Sequence, residues 1–424
     1  MRKIFLLILL ALVISGCAAG LDYQTLGNHM RSGNCAAAVE YLEKNRRSYG
    51  MNAELIYLMD SAMVNMMCRQ YEQSNQYLHR AEELAQKLWT RSLTLEAASF
   101  LLNDYTKPYA GEDFEKALIN LFSSLNYLQS GKFQDALVEC RRLDALLNAL
   151  NAKYDEKNVY KEDAFGRYIS GMLYEADRNP DEAYIDYFKS FHAYQDYGKY
   201  YGTPMPRILL QDLFRLADET KRGDEIRHLF RKYRHVKYLK KRDVPKLGKV
   251  VLIHFKGKSP VKVEDKTIIN TRNGIITLAF PRYVTTAPRC RQSTVIAQTG
   301  SIRKKATTEL VEDINKIAVK NLEDRKARVI VKTIARAAVR RAVTDELAEN
   351  ELQRRLLNFA SILIERADTR TWRTLPGEIY VSRIFLPPGK HDIFVDECDW
   401  GARPVQTVSL KAGETRFLLY ESVY

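Results

Sequence analysis

A chain of 424 residues, 46% of them hydrophobic and 28% charged, is long enough for two or three domains and apolar enough to pack them, which excludes a largely disordered polymer. Its formal charge of +14 favours anionic surroundings. The signal segment described next excludes nucleic acid as that anion and leaves membrane lipid, acidic glycan or an acidic protein.

Residues 1–16 read as a lipoprotein signal peptide. Arg2 and Lys3 precede an apolar run from Ile4 to Ile14, too short to span a bilayer, and Ser15-Gly16-Cys17 resembles the lipoprotein cleavage box. Cys17 is therefore the expected lipidation site, with 17–22 as a lipidated linker and acyl chains such as palmitate as the anchor. Ala18 follows where an aspartate would signal retention in the inner membrane, so the expected location is the outer membrane, facing the periplasm. Five cysteines remain after Cys17, an odd number. Cys35 and Cys68 are the expected pair, because both fall in the first helical hairpins.

The fold class expected is α+β and multidomain. Residues 23–244 carry almost no strand signal and repeat apolar residues at three and four spacing, which predicts an all-α array. The stretch Asn120 to Leu143 resembles a tetratricopeptide repeat: Tyr127, then Gly131 at a helix break, Phe133, and Ala136 opening the next helix. Weaker echoes place small residues at Ala38, Ser74 and Ala183. Such a solenoid leaves a concave groove that docks a peptide or protein helix, and the 25 tyrosines belong more to its core than to that groove.

Between Lys221 and Lys262 basic residues outnumber acidic ones by far. Arg231, Lys232, Arg234, Lys237, Lys240, Lys241 and Arg242 form the candidate surface for a partner, an anionic lipid or a glycan. A mixed α/β domain is expected over 245–376, with strands at Lys249–Phe255, Gly274–Phe280 and Ser293–Gln298 and helices from Lys305 to Ala367. Within those helices Ala327, Ile330, Val331, Ile334, Ala338 and Ala342 share one face, which suits packing on the sheet, a partner or a membrane surface. A small β-sandwich-like module is expected over 377–424, including a hairpin of Val405–Leu410 with Thr415–Tyr420.

The run Glu365 to Pro376, with Ala279-Phe-Pro-Arg-Tyr283 upstream, resembles a family of uncharacterised bacterial lipoproteins that join helical repeats to a C-terminal mixed domain. The resemblance implies architecture rather than an activity. Asp368, Arg370, Trp372 and Arg373 would form a salt-bridged, aromatic-stacked corner within it.

No serine-hydrolase elbow, phosphate loop or zinc-protease helix is present in the sequence. Glu225-x-x-His228 has di-metal spacing but no second copy, and Cys290 lies between Arg289 and Arg291, which would lower its pKa. No catalytic residue, cofactor or metal is expected. The expected function is a non-enzymatic, lipid-anchored periplasmic scaffold or regulator that binds a protein of a cell-envelope machine, cell-wall synthesis among them. The alternatives are an accessory to polysaccharide or fibre secretion, and an envelope enzyme.

Overall fold

The computed structural model describes residues 20–95, 107–153, 160–240, 242–271, 274–347, 353, 366–398 and 401–422. Among the described residues ten α-helices come first, in successive pairs: α1 (Tyr23–Arg31) and α2 (Cys35–Lys44), α3 (Glu54–Met67) and α4 (Tyr71–Leu95), α5 (Asp113–Gln129) and α6 (Phe133–Lys153), α7 (Ala164–Ala176) and α8 (Pro180–Tyr200), and α9 (Arg207–Glu219) and the short α10 (Arg227–Lys232).

One turn is reused along the array. The first helix of a pair ends on a residue with positive φ: Gly33 at 69°, Arg69 at 59°, Gly131 at 71°, Arg178 at 61° and Lys221 at 59°. The next amide then reaches back five residues, as Lys132 N does to the Tyr127 carbonyl (2.9 Å) and Asn179 N to the Tyr174 carbonyl (2.9 Å). This satisfies helix-end carbonyls that would otherwise be orphaned. The expected small residues Ala38, Ser74, Ala136 and Ala183 are all fully buried where the second helix closes on the first.

Among the described residues the strands form three sheets. β1 (Gly248–Lys258) is central to one of them, between β10 (Thr415–Ser422) and β7 (Pro376–Leu386), with β6 (Glu309–Asp313) at the far edge. β1 runs parallel to β10 and antiparallel to β7. β2 (Val261–Thr271) and β3 (Gly274–Val284) make a separate hairpin. The third sheet has the order β5 (Ile302–Thr307), β4 (Ser293–Thr299), β8 (Gly389–Glu397), β9 (Ala402–Leu410).

Alternation along β1 explains the layering. Val250 and Leu252 pack with Ile384, Leu418, Val295 and Val395 between the two four-stranded sheets. Val251, Ile253 and Phe255 face the other way and join the helical core with Val381 and Phe417. A strand buried on both faces must read as a continuous apolar run, as this one does.

Three expectations are corrected. Residues 377–424 form no separate module, because β7 and β10 flank β1 while β8 and β9 extend the sheet of β4. Val405–Leu410 and Thr415–Tyr420 are not a hairpin; the chain crosses from one sheet to the other at 411–414. Residues 305–307 and 309–313 are strand rather than helix, and α11 (Ile314–Leu347) follows them; most of the expected helical segment beyond it, 348–352 and 354–365, lies outside the described residues. The Thr-rich, β-branched segment before Asp313 pairs with β7, so tertiary pairing overrides the helical reading. α11 buries Ile314, Ile317 and Ala318 at its start, but Val331 and Ile334 are 67% and 51% exposed. Of the face expected to pack on the sheet, Ala327, Val331, Ile334, Ala338 and Ala342 are exposed and Ile330 is half-buried, so the packing lies on earlier turns of the helix than expected.

Candidate functional site

Helix burial shows first where a docking surface is not. Every residue of α3 from Leu55 to Met67 is buried, and so is every residue of α5 from Asp113 to Asn126. A helix in an open solenoid keeps a solvated face. Here the second helices cover one side, and on the other the strands and the segment before β7 close on α5 at Phe122 and on α3 at Asp60. Phe122 of α5 meets the Phe255 and Trp372 rings edge-on, with centroids 5.5 and 5.8 Å away. Phe133 meets Phe417 in the same way at 6.0 Å. The groove expected to receive a partner is filled by the protein's own sheet.

Buried polar groups seal this contact. Glu115 of α5 accepts hydrogen bonds from the Trp372 amide (2.7 Å), the Thr371 hydroxyl (3.0 Å), the Tyr109 hydroxyl (2.5 Å) and the Glu112 amide (2.9 Å). Asp60 of α3 accepts from Tyr23 (2.6 Å), Thr374 (2.7 Å) and Tyr49 (2.9 Å). Burial pushes the Asp60 carboxyl up to about 6 against these three donors. Further along, Lys249 of β1 pairs with Glu175 at 2.6 Å, and Arg215 bridges Glu175 and Asp212 at 2.7 Å each. Burial raises the Glu175 carboxyl, but Arg215 and Lys249 together hold it well below the usual carboxylate range.

The motif corner belongs to this seam. Arg370 pairs with Asp368 (2.8 Å), donates to the Asn52 and Lys107 carbonyls (2.9 Å each), and lies 5.2 Å from the centre of the Tyr109 ring. Trp372 is fully buried, and its indole N–H donates to Thr374 at 3.0 Å. Arg373 lies 4.2 Å over the Tyr23 ring. Asp368, Arg370 and Trp372 are packed where the helices meet the strands, while Arg373 is exposed and lies over Tyr23.

The basic run is more dispersed than its sequence suggests. Arg231, Lys232, Arg234, Lys237, Lys240 and Arg242 are exposed on α10 and the segment after it; Lys241 lies outside the described residues. Lys240 is partly engaged, 3.3 Å from Asp218 and 4.3 Å from the Tyr238 ring centre. Lys249, Lys256 and Lys262, counted in the same excess, are buried in the strands and belong to no surface patch. Cys17 lies outside the described residues.

Cys35 and Cys68 are bonded, as expected, tying the first hairpin to the end of α3. Cys290 is bonded to Cys398, so it is no free thiolate. Cys140 is buried and free, and burial pushes its thiol up to about 12. Glu225 accepts from Tyr184 (3.2 Å), while His228 is exposed.

The surface left for recognition includes a cleft of about 800 Å³ between α4 and α6, floored by α5. Trp89, Tyr127, Val138 and Leu146 supply apolar area, while Glu82, Glu83, Asp135 and Glu139 outnumber Lys116 and Arg142. It is an acidic depression on a chain of +14. Inside it the ligand atoms of His79, Glu82 and Glu139 lie within 4.8 Å of one another, a spacing that would hold a cation. Arg142 already takes that role, 3.3 Å from Glu82 and 3.2 Å from Glu139, and Asn120 donates to both carboxylates. Burial raises the Glu139 carboxyl, with Arg142 opposing. Sequence reading missed the cleft, although His79, Glu82 and Glu83 on α4 and Asp135, Glu139 and Arg142 on α6 recur at the three and four spacing that puts them on one face.

No family model matches the chain, and none of the curated proteins matches it. Among solved structures the chain is similar to a point variant of a Podosopora anserina protein described as a kinesin light chain with nearly identical TPR-like repeats. The two are 15% identical, over 50% of this chain and 91% of that one, with a TM-score of 0.32. A likeness of that size carries no argument, and the helical array rests on its own turns and packing.

Proposed function

We propose that this chain is a lipid-anchored scaffold or regulator in the bacterial envelope, held at the outer membrane through Cys17 and docking a protein of an envelope machine. The observation that carries the reading is the acidic, aromatic cleft between α4 and α6 on an otherwise basic molecule. Charge complementarity there favours a basic segment of the partner, with an apolar side chain against Trp89 and Leu146. Two disulfides agree with an oxidising compartment, and the signal segment agrees with export to one.

In-cell crosslinking of the lipidated protein should recover one envelope complex above a Cys17→Ser control. Reversing the rim charges, Glu83→Lys with Asp135→Lys, should cut that recovery at least ten-fold at unchanged protein level. Equal recovery by the double variant would remove the cleft from the reading, and recovery of abundant envelope proteins alone would remove the scaffold.

A further inference from the structure

Three lysines of β1 and β2 are withdrawn from water: Lys249, Lys256 and Lys262. A buried ammonium is costly unless it is paired. Lys249 has Glu175 as its counter-ion, and Lys262 has Glu112. Lys256 has no carboxylate at ion-pair distance among the described residues. Its Nζ, which carries three N–H donors, gives one hydrogen bond to the Cys290 carbonyl at 3.1 Å and sits 4.9 Å from the Tyr380 ring centre. The charged and titratable groups around it are Glu378 and Tyr380 of β7, Glu397 of β8 and His254 of β1, and neither carboxylate reaches it.

Lys256 also lines a cleft of about 930 Å³ between the α1–α2 hairpin, the 286–290 segment and the strands. Exposed Arg31, Lys258, Arg289 and Arg403 share that lining, and only Glu397 and Glu421 oppose them. Five cations against two carboxylates leave an excess of three, and burial pushes the Glu421 carboxyl up to about 8, which weakens the opposition further. The walls are tied in place: Cys35 and Cys290 both line the cleft, and each is disulfide-bonded, to Cys68 and Cys398.

We propose that this cleft binds a phosphate-bearing ligand, whose phosphate supplies Lys256 with the counter-ion it lacks and meets the arginines at the mouth. A multiply charged anion matches the excess better than a single carboxylate does, and the arginine forks suit phosphate oxygens. Burial pushes the free Lys256 ammonium down to about 8, so binding weakens as pH rises past that value, where phosphate is already dianionic and the arginines stay charged. The site is separate from the α4–α6 cleft and does not depend on it.

The test is calorimetric titration of the full chain with inorganic phosphate, glycerol phosphate and phosphatidylglycerol vesicles. Lys256→Met should weaken binding at least ten-fold and leave the melting temperature equal or higher in phosphate-free buffer, because an unpaired buried charge is gone. Arg403→Ala should weaken binding several-fold. Binding of the soluble probes points to a free phosphorylated ligand, and Lys256-dependent binding of vesicles alone points to a lipid headgroup; both support the site. No binding of any probe, equal binding by Lys256→Met, or a melting temperature lowered by that substitution would overturn it.

Discussion

Asp60 is charged in water at neutral pH, yet in the folded chain it lies fully buried among three hydroxyl donors with its carboxyl pushed up to about 6. A folded pKa above the unfolded one means the protonated acid is favoured by folding. The stabilisation is complete below the ordinary value of 3.8 and is lost as pH rises through about 6. A rise of that size amounts to about 3 kcal/mol. Asp60→Asn lacks this titration, so the stability of the original protein relative to the variant should fall by about 2 kcal/mol between pH 4 and pH 7. Denaturant melts at several pH values read this difference directly, and a pH-independent gap would contradict it. Neither Asp60 nor Glu115 stood out in the sequence, since each is one of two acids on a largely apolar helix and its partners lie 314 and 257 positions away, at Thr374 and Trp372. The Trp372 motif was visible as an aromatic among arginines, but its role at the helix–strand seam emerges only from packing.

At the scale of elements, the inter-helix turn shows what a sequence reveals and what it hides. Gly33 and Gly131 mark two turns openly, because glycine adopts positive φ without strain. Arg69, Arg178 and Lys221 take the same conformation with a side chain attached, so their turns left no glycine to read. Arg178 is exposed, and Arg178→Gly should relieve its strain and stabilise the protein by about 0.5–1 kcal/mol, measured as a shift of the denaturant midpoint. An equal or lower midpoint would show that the turn costs nothing there. Strand existence was legible at β1, β3, β4 and β7, where apolar and β-branched runs are long. Strand partnership was not. Leu386-Pro-Pro-Gly389 and Lys411-Ala-Gly-Glu414 look like hairpin turns, but each carries the chain across to the other sheet. Short loops between strands do not say which edge the second strand will find.

For the whole molecule, the helical array and the strands are one packed body. The array folds around a sheet instead of leaving a groove for a partner, which is why the proposed recognition sites are the outer cleft of α4–α6 and the cleft at Lys256. The division near residue 244 was legible from the change of periodicity, and the filling of the inner face was not, because apolar residues facing a sheet and apolar residues facing a neighbouring helix look alike in sequence. The most direct test is hydrogen exchange of the intact protein, followed by mass spectrometry across a denaturant series. If the sheet fills the array, amides of α5 and of β1 open together, with the same free energy and the same denaturant dependence. If α5 stays protected after β1 has exchanged, the two halves separate, the inner groove is available to a partner, and the helices and strands are not one packed body.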